Sequence, residues 1–225
     1  MILCLFAASF LLARKGAALA ASGNSSSEDT DIHIVLDAGH GGNDPGKIGV
    51  NDCLEKDINL TLALRLQALL ENRSYQVTMT RTTDITLGDE SSSSIKRSDL
   101  QRRIEIITEA SPDFVISIHQ NSYTDASVSG PQVFYYTDSE SGKILASYLQ
   151  ESLNNSLDPQ SPRNIKANSD YYLLKNSPVP TVIIECGFLS NAQEAELLTT
   201  SSYQDKVVRA IYTGLEDYIN NEISR

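Results

Sequence analysis

His40, Glu55, His119 and Glu185 are the side chains of this sequence best suited to chemistry. His40 lies in the glycine-flanked run Ala38-Gly39-His40-Gly41-Gly42, Glu55 precedes a stretch with helical periodicity, His119 follows the apolar run DFVISI, and Glu185 sits inside TVIIEC. The separations are 15 residues from His40 to Glu55, 79 from His40 to His119 and 66 from His119 to Glu185, so no compact motif such as HExxH exists and only a fold can assemble the set. Two imidazoles and a carboxylate make a catalytic zinc set: three protein ligands at roughly 2.0–2.2 Å, with water in the fourth position. Bound zinc lowers the pKa of that water to about 7 and polarises a carbonyl. A second carboxylate, left unligated, can take the water's proton and pass it to a departing amine.

Positioning these residues requires strands and helices in alternation, and the sequence supplies them from residue 31 onward. His33–Asp37 reads as a buried strand entering the glycine-rich turn. Ile58, Leu62, Leu66, Leu69 and Leu70 recur at helical spacing and predict a helix over 55–71. Tyr75–Thr80, Asp113–Ile118, Pro131–Tyr136, Tyr171–Leu174 and Thr181–Cys186 read as further strands. Leu100, Ile104 and Ile107 mark a second helix, Ile144, Leu145, Tyr148, Leu149 and Leu153 a third, and Tyr203 to Tyr218 a closing amphipathic one. Residues 191–198 read as a short helix opened by Ser190 as N-cap. The expected architecture is therefore one α/β domain, a mostly parallel twisted sheet with helices on both faces. Such a sheet carries its site beyond the carboxyl ends of the strands, where His40, His119 and Glu185 fall.

Composition narrows the function. The 225 residues carry 18 Lys+Arg against 29 Asp+Glu, a net charge of −11, which argues against nucleic acid or an anionic membrane surface as the main partner. Three cysteines, at 4, 53 and 186, make no disulfide scaffold and no CxxC module. Cys53 and Cys186 are open to three readings: a disulfide, inert thiols, or a stray zinc ligand. Residues 2–13 are apolar and Ala18-Leu19-Ala20 offers a cleavage site, so 1–22 reads as a signal peptide or an uncleaved membrane anchor, followed by a Ser-rich linker over 23–30. Arg14 and Lys15 follow the apolar run instead of preceding it, and removing 1–22 leaves a charge of −13. The expected location is outside the cytoplasm, in the cell wall or anchored at the membrane.

Several other residues have plainer readings. His33 stands at the outset of its strand, away from the site edge, and reads as a sheet or surface residue. Asp37 and Asn121 either orient the histidines or serve turn chemistry. Gly41–Lys47 satisfies G-x-x-x-x-G-K, but Ile48 replaces the required Ser/Thr and the helix starts late, so it reads as a loop beside the site and not a phosphate cradle. Arg81-Thr82-Thr83-Asp84 reads as a strand-ending turn or a substrate contact.

Four segments in order, Leu36–Gly42, Glu55-Lys56 with Asn59-Leu60, Ser117–Asn121 and Glu185–Asn191, resemble the zinc-dependent N-acetylmuramoyl-L-alanine amidases of the amidase-3 type. The resemblance covers essentially all of 32–221, including Tyr172-Leu173-Leu174 and Val179-Pro180, and departs at Gln120 and Cys186, neither of them a ligand position. It implies one zinc per chain held by His40, Glu55 and His119, with Glu185 as the catalytic carboxylate. It also implies cleavage of the amide between the lactyl group of N-acetylmuramic acid and L-alanine in peptidoglycan. A catalytic domain behind an export segment, with no cell-wall-binding repeats, resembles the germination-specific amidases that mature the spore cortex. Recruitment then falls to the N-terminal segment, an activator or recruiting protein, or the substrate. A zinc peptidase acting on the stem peptide and a catalytically idle wall- or partner-binding protein are the alternatives.

Overall fold

The computed structural model describes residues 32–223, so the signal-peptide and linker readings at 1–22 and 23–30 lie outside the described residues. Six strands, β1 (His33–Ala38), β2 (Gln76–Met79), β3 (Phe114–Asn121), β4 (Gln132–Tyr136), β5 (Lys166–Asn168) and β6 (Thr181–Phe188), form one sheet in the order β2-β1-β3-β6-β4-β5. The pairs β1–β2, β1–β3 and β3–β6 are parallel, β4 runs antiparallel to β6, and β5 follows β4 in parallel. The helices are α1 (Glu55–Glu71), α2 (Ile95–Ala110), α3 (Glu140–Leu157), α4 (Tyr172–Asn176), α5 (Ala192–Leu198) and α6 (Ser201–Tyr218), the last running into a π-helical turn at Ile219–Ile223.

The central strands are buried on both faces, which is why β1, β3 and β6 read as continuous apolar runs instead of alternating ones. One face packs Ile34, Leu36, Ile116, Ile118, Val182 and Ile184 against α1, α3 and α6. Val35 and Val115 point the other way, against Ile107 of α2 and Leu173 of α4. Because side chains alternate along a strand, Asp37, Ser117, His119 and Glu185 also belong to this second face. The smaller helices leave this face open at the carboxyl edge, and the site lies there.

Three sequence expectations need correction. Tyr171–Leu174 is not a strand: Tyr172–Asn176 is a single helical turn and a half, and the neighbouring strand is the short β5, earlier in the chain. Leu173 and Leu174 are buried, but under β1 and β4 from a helix. The N-cap of α5 is Asn191 rather than Ser190, its side chain accepting from the amides of Gln193 and Glu194. Finally, β3 and β6 run on past 118 and 186, so His119 and Glu185 stand inside strands, paired in register with each other just before a bulge.

Asp37 neither orients a histidine nor makes a turn. It is a buried carboxylate that accepts from Arg103 Nη1 (2.5 Å), Ser117 Oγ (2.6 Å) and Thr80 Oγ1 (2.7 Å). Burial alone would raise its pKa, but the Arg103 guanidinium and the hydrogen bonds from Ser117 and Thr80 outweigh that and hold it at about 2. A depressed carboxylate contributes stability that is present above its ordinary value of 3.8 and is lost as pH falls through about 2. Asp37→Asn leaves Arg103 under-compensated in the interior and is expected to cost about 3–5 kcal/mol, roughly 10 °C in melting temperature. Thermal unfolding at neutral pH measures this, and the gap to the parent chain should narrow as pH drops from about 4 toward 2.

Candidate metal centre

His40 leaves β1 in the left-handed region (φ +62°), and its ring is turned back toward the start of α1. Its Nδ1 lies 2.8 Å from Asp44 Oδ2 and donates to it, which leaves Nε2 facing Glu55 Oε1 at 3.2 Å. His119 Nδ1 reaches the same Glu55 oxygen at 2.9 Å. The two imidazoles stand edge to face, centroids 5.0 Å apart. His40, Glu55 and His119 each offer one ligand atom, and these atoms lie within 4.8 Å of one another. Two neutral-capable nitrogens and one carboxylate oxygen converging on one point fit a zinc ion. Burial would raise the Glu55 carboxyl, but hydrogen bonds and charge from His119 and His40 pull it well below the usual range. His40 is raised: burial opposes its charged form, while Glu55 and Asp44 outweigh burial.

The surrounding chain is shaped around these rings. A Cβ on Gly39 would sit 2.2 Å from His119 Cε1, so nothing larger than glycine fits there. Gly46 has φ +67°, and a Cβ there would meet Glu55 Oε2 at 2.6 Å. The other oxygen contacts of Glu55 come from the Lys47 and Gln120 amides and Asn59 Nδ2. Three cations then tie down the loop that carries His40. Arg81 donates to the carbonyls of Ala38, Gly39 and Lys56, Arg103 to those of Ala38 and His40, and Lys56 to that of Gly42 while pairing with Asp84. Arg81 is therefore buried and structural, not a substrate contact.

Glu185 approaches from β6. It is 8 % exposed, and its Oε2 has no hydrogen-bond partner among the described residues. Burial pushes its carboxyl up to about 7, helped by the charge of Glu55 and opposed by His119 and His40. A carboxylate poised near neutrality at the edge of an open cavity is suited to accepting and releasing a proton. That cavity, about 500 Å³, is lined by all four residues together with Lys47, Lys96, Asn121, Ser122 and Tyr171.

All four sequence-selected residues thus meet at one place. Asn121 is the last residue of β3, its Oδ1 accepting from the Ser122 amide. His33 donates or accepts at Thr78 Oγ1 across the β1–β2 pair and stays in the sheet. Gly41–Lys47 is a loop beside the site, and its last amide donates to Glu55 Oε2. Cys53 and Cys186 are both free thiols, and neither joins the cluster. Asp44 was missed; the only signal for it in the sequence is a carboxylate four residues after a histidine in a glycine-rich loop.

An open α/β sheet that gathers two imidazoles and two carboxylates at the carboxyl-end edge of its strands has the donor set of single-metal hydrolases. The model of the N-acetylmuramoyl-L-alanine amidase family, amidase-3, matches residues 34–217, and the chain belongs to that family. It is 38% identical over 192 residues to the germination-specific N-acetylmuramoyl-L-alanine amidase of Bacillus subtilis, covering 84% of this chain and 80% of that protein. Among solved structures, the CwlD amidase from Clostridioides difficile in complex with the GerS lipoprotein superposes with a TM-score of 0.80 at 40% identity, over 84% of this chain and 98% of that one. The amidase AmiC2 of Nostoc punctiforme gives 0.75 at 29% identity, over 85% and 98%.

Proposed function

We propose that the chain hydrolyses the amide between the lactyl group of N-acetylmuramic acid and L-alanine in peptidoglycan, with one zinc held by His40, Glu55 and His119. The observation that carries this reading is the convergence of those three side chains at one cavity with a buried Glu185 whose Oε2 has no hydrogen-bond partner among the described residues. The similarity to a germination-specific amidase supports a setting in the spore cortex, with export through residues 1–22. Because the similar CwlD structure is a complex with a lipoprotein, a recruiting lipoprotein is proposed here too.

When bound, zinc supplies Lewis-acid polarisation of the scissile carbonyl and acidifies a water molecule. The chain's own residues do the rest. The Glu185 carboxylate accepts a proton from the attacking water and delivers it to the alanine nitrogen as the C–N bond breaks, leaving a lactyl carboxylate and a free amine. Asp44 fixes the His40 tautomer so that Nε2 faces the centre. Arg81, Arg103 and Lys56 keep the His40 loop from shifting as substrate binds.

Asp44→Asn is expected to lower zinc affinity by about 10–100-fold while turnover per bound zinc changes little, as read by competition with a chromophoric chelator. The function itself is tested by metal removal. Chelation followed by verified metal loss should abolish release of wall fragments, and one equivalent of zinc should restore it. Full activity in protein shown to hold no metal would overturn the reading.

A further inference from the structure

Tyr171 lines the cavity beside Glu185 and has no role in what precedes. Its place is fixed from three directions. It is the N-cap residue of α4, in extended conformation, and its amide donates to Asn168 Oδ1 at 2.7 Å. Its ring packs on Phe134, with centroids 5.5 Å apart. Phe134 in turn pairs in register with Ile183 on β6. Ile183 and Glu185 are two residues apart on one strand, so they share a face, and both line the cavity. The Tyr171 ring therefore rests against Phe134, whose strand neighbour is Ile183, and it lines the same cavity as the acid–base carboxylate. Tyr171 remains 37% exposed, an aromatic anchored at its backbone and ring but left open toward the cavity. Burial, with the negative charges of Glu185 and Glu55, raises its hydroxyl above the ordinary phenol range, so it keeps its proton and is a donor.

We propose that Tyr171 is a further catalytic residue, its hydroxyl donating to the oxygen of the scissile carbonyl as negative charge develops there. The inference rests on the amidase reading above. A donor aimed at an oxygen that gains charge only in the transition state acts on kcat more than on KM. The arrangement also divides the labour of the site: Glu185 moves the proton, while Tyr171 moves none and stabilises charge on the opposite atom of the amide. No bond is formed or broken at Tyr171, and its proton stays on the phenol throughout.

The test is Tyr171→Phe in the zinc-loaded full chain, assayed on purified peptidoglycan beside the parent and Glu185→Gln. The substitution keeps the ring and its contact with Phe134, so melting temperature and zinc stoichiometry should match the parent. The expected result is a fall in kcat of about 100-fold with KM nearly unchanged. A kcat within about threefold of an active parent overturns the inference and leaves the amidase reading standing. A raised KM with unchanged kcat overturns it as well, by making Tyr171 a uniform binding contact. A parent chain that holds zinc and releases nothing would sink the amidase reading, and this inference with it. Should Tyr171→Phe lower the melting temperature, Tyr171→Leu serves as the comparison: equal kcat losses at unequal stability support the missing hydroxyl, while losses that track stability contradict it.

Discussion

Glu185→Gln is expected to retain zinc at one per chain and to lose between about 10² and 10⁴ in kcat. The side chain is nearly isosteric, and the parent Oε2 has no hydrogen-bond partner among the described residues, so the amide disturbs little. Removing a buried group whose pKa stands at about 7 relieves a folding cost, because a carboxyl raised in the folded state destabilises that state once pH exceeds its ordinary value of 4.5. The variant should therefore melt no lower than the parent at neutral pH. Unchanged zinc, unchanged or raised melting temperature and collapsed kcat form a combination that a merely structural Glu185 does not produce. Kinetics on soluble wall fragments, with metal analysis of the same sample, measures all of it.

His40→Ala is expected to fail differently. It removes one of three ligands and also strands Asp44, whose Oδ2 would lose its imidazole partner. Zinc affinity should drop by more than about 100-fold, beyond the loss typical of disturbing a ligand's supporting partner, and activity should disappear with the metal. Without the His40 imidazole, one of the two that offset its burial, Glu55 also becomes costlier to keep ionised, so a lower melting temperature in the metal-free protein accompanies the loss. The measurement is zinc content after dialysis against a weak chelator, paired with a melt of the metal-free sample. Retained zinc and activity would remove His40 from the ligand set.

Much of this site is legible in the sequence because the fold obeys periodicity. The strands β1, β3 and β6 are apolar runs bounded by polar residues, and α1 repeats its buried positions Ile58, Leu62, Leu66 and Leu70 at a helical interval. Once those elements are set, His40, His119 and Glu185 must meet at one sheet edge. The failures have equally physical causes. Tyr171–Leu174 is too short for period to separate a strand from a helical turn, and the burial of Leu173 and Leu174 satisfies either. β5 is Lys-Ala-Asn at the sheet edge, with no apolar pattern to find. The Asp37–Arg103 pair joins residues 66 apart, and the Arg81 bonds to Ala38 and Gly39 span more than 40. Nothing local in the sequence encodes such pairings; they exist because β1, β2 and α2 are brought side by side. Asp44 was nearer, but a carboxylate in a glycine-rich loop is ordinary turn chemistry until the ring it holds is seen.

The central claim is that these residues cut one particular amide. Mass spectrometry of purified peptidoglycan, digested by the zinc-loaded chain with Glu185→Gln as control, tests it most directly. The account predicts stem peptides bearing a new free L-alanine amine, glycan strands whose muramic acid lactyl groups end in carboxylates, and neither product from the variant. Peptides cut within the stem, with L-alanine still joined to muramic acid, would contradict it and make the chain a peptidase.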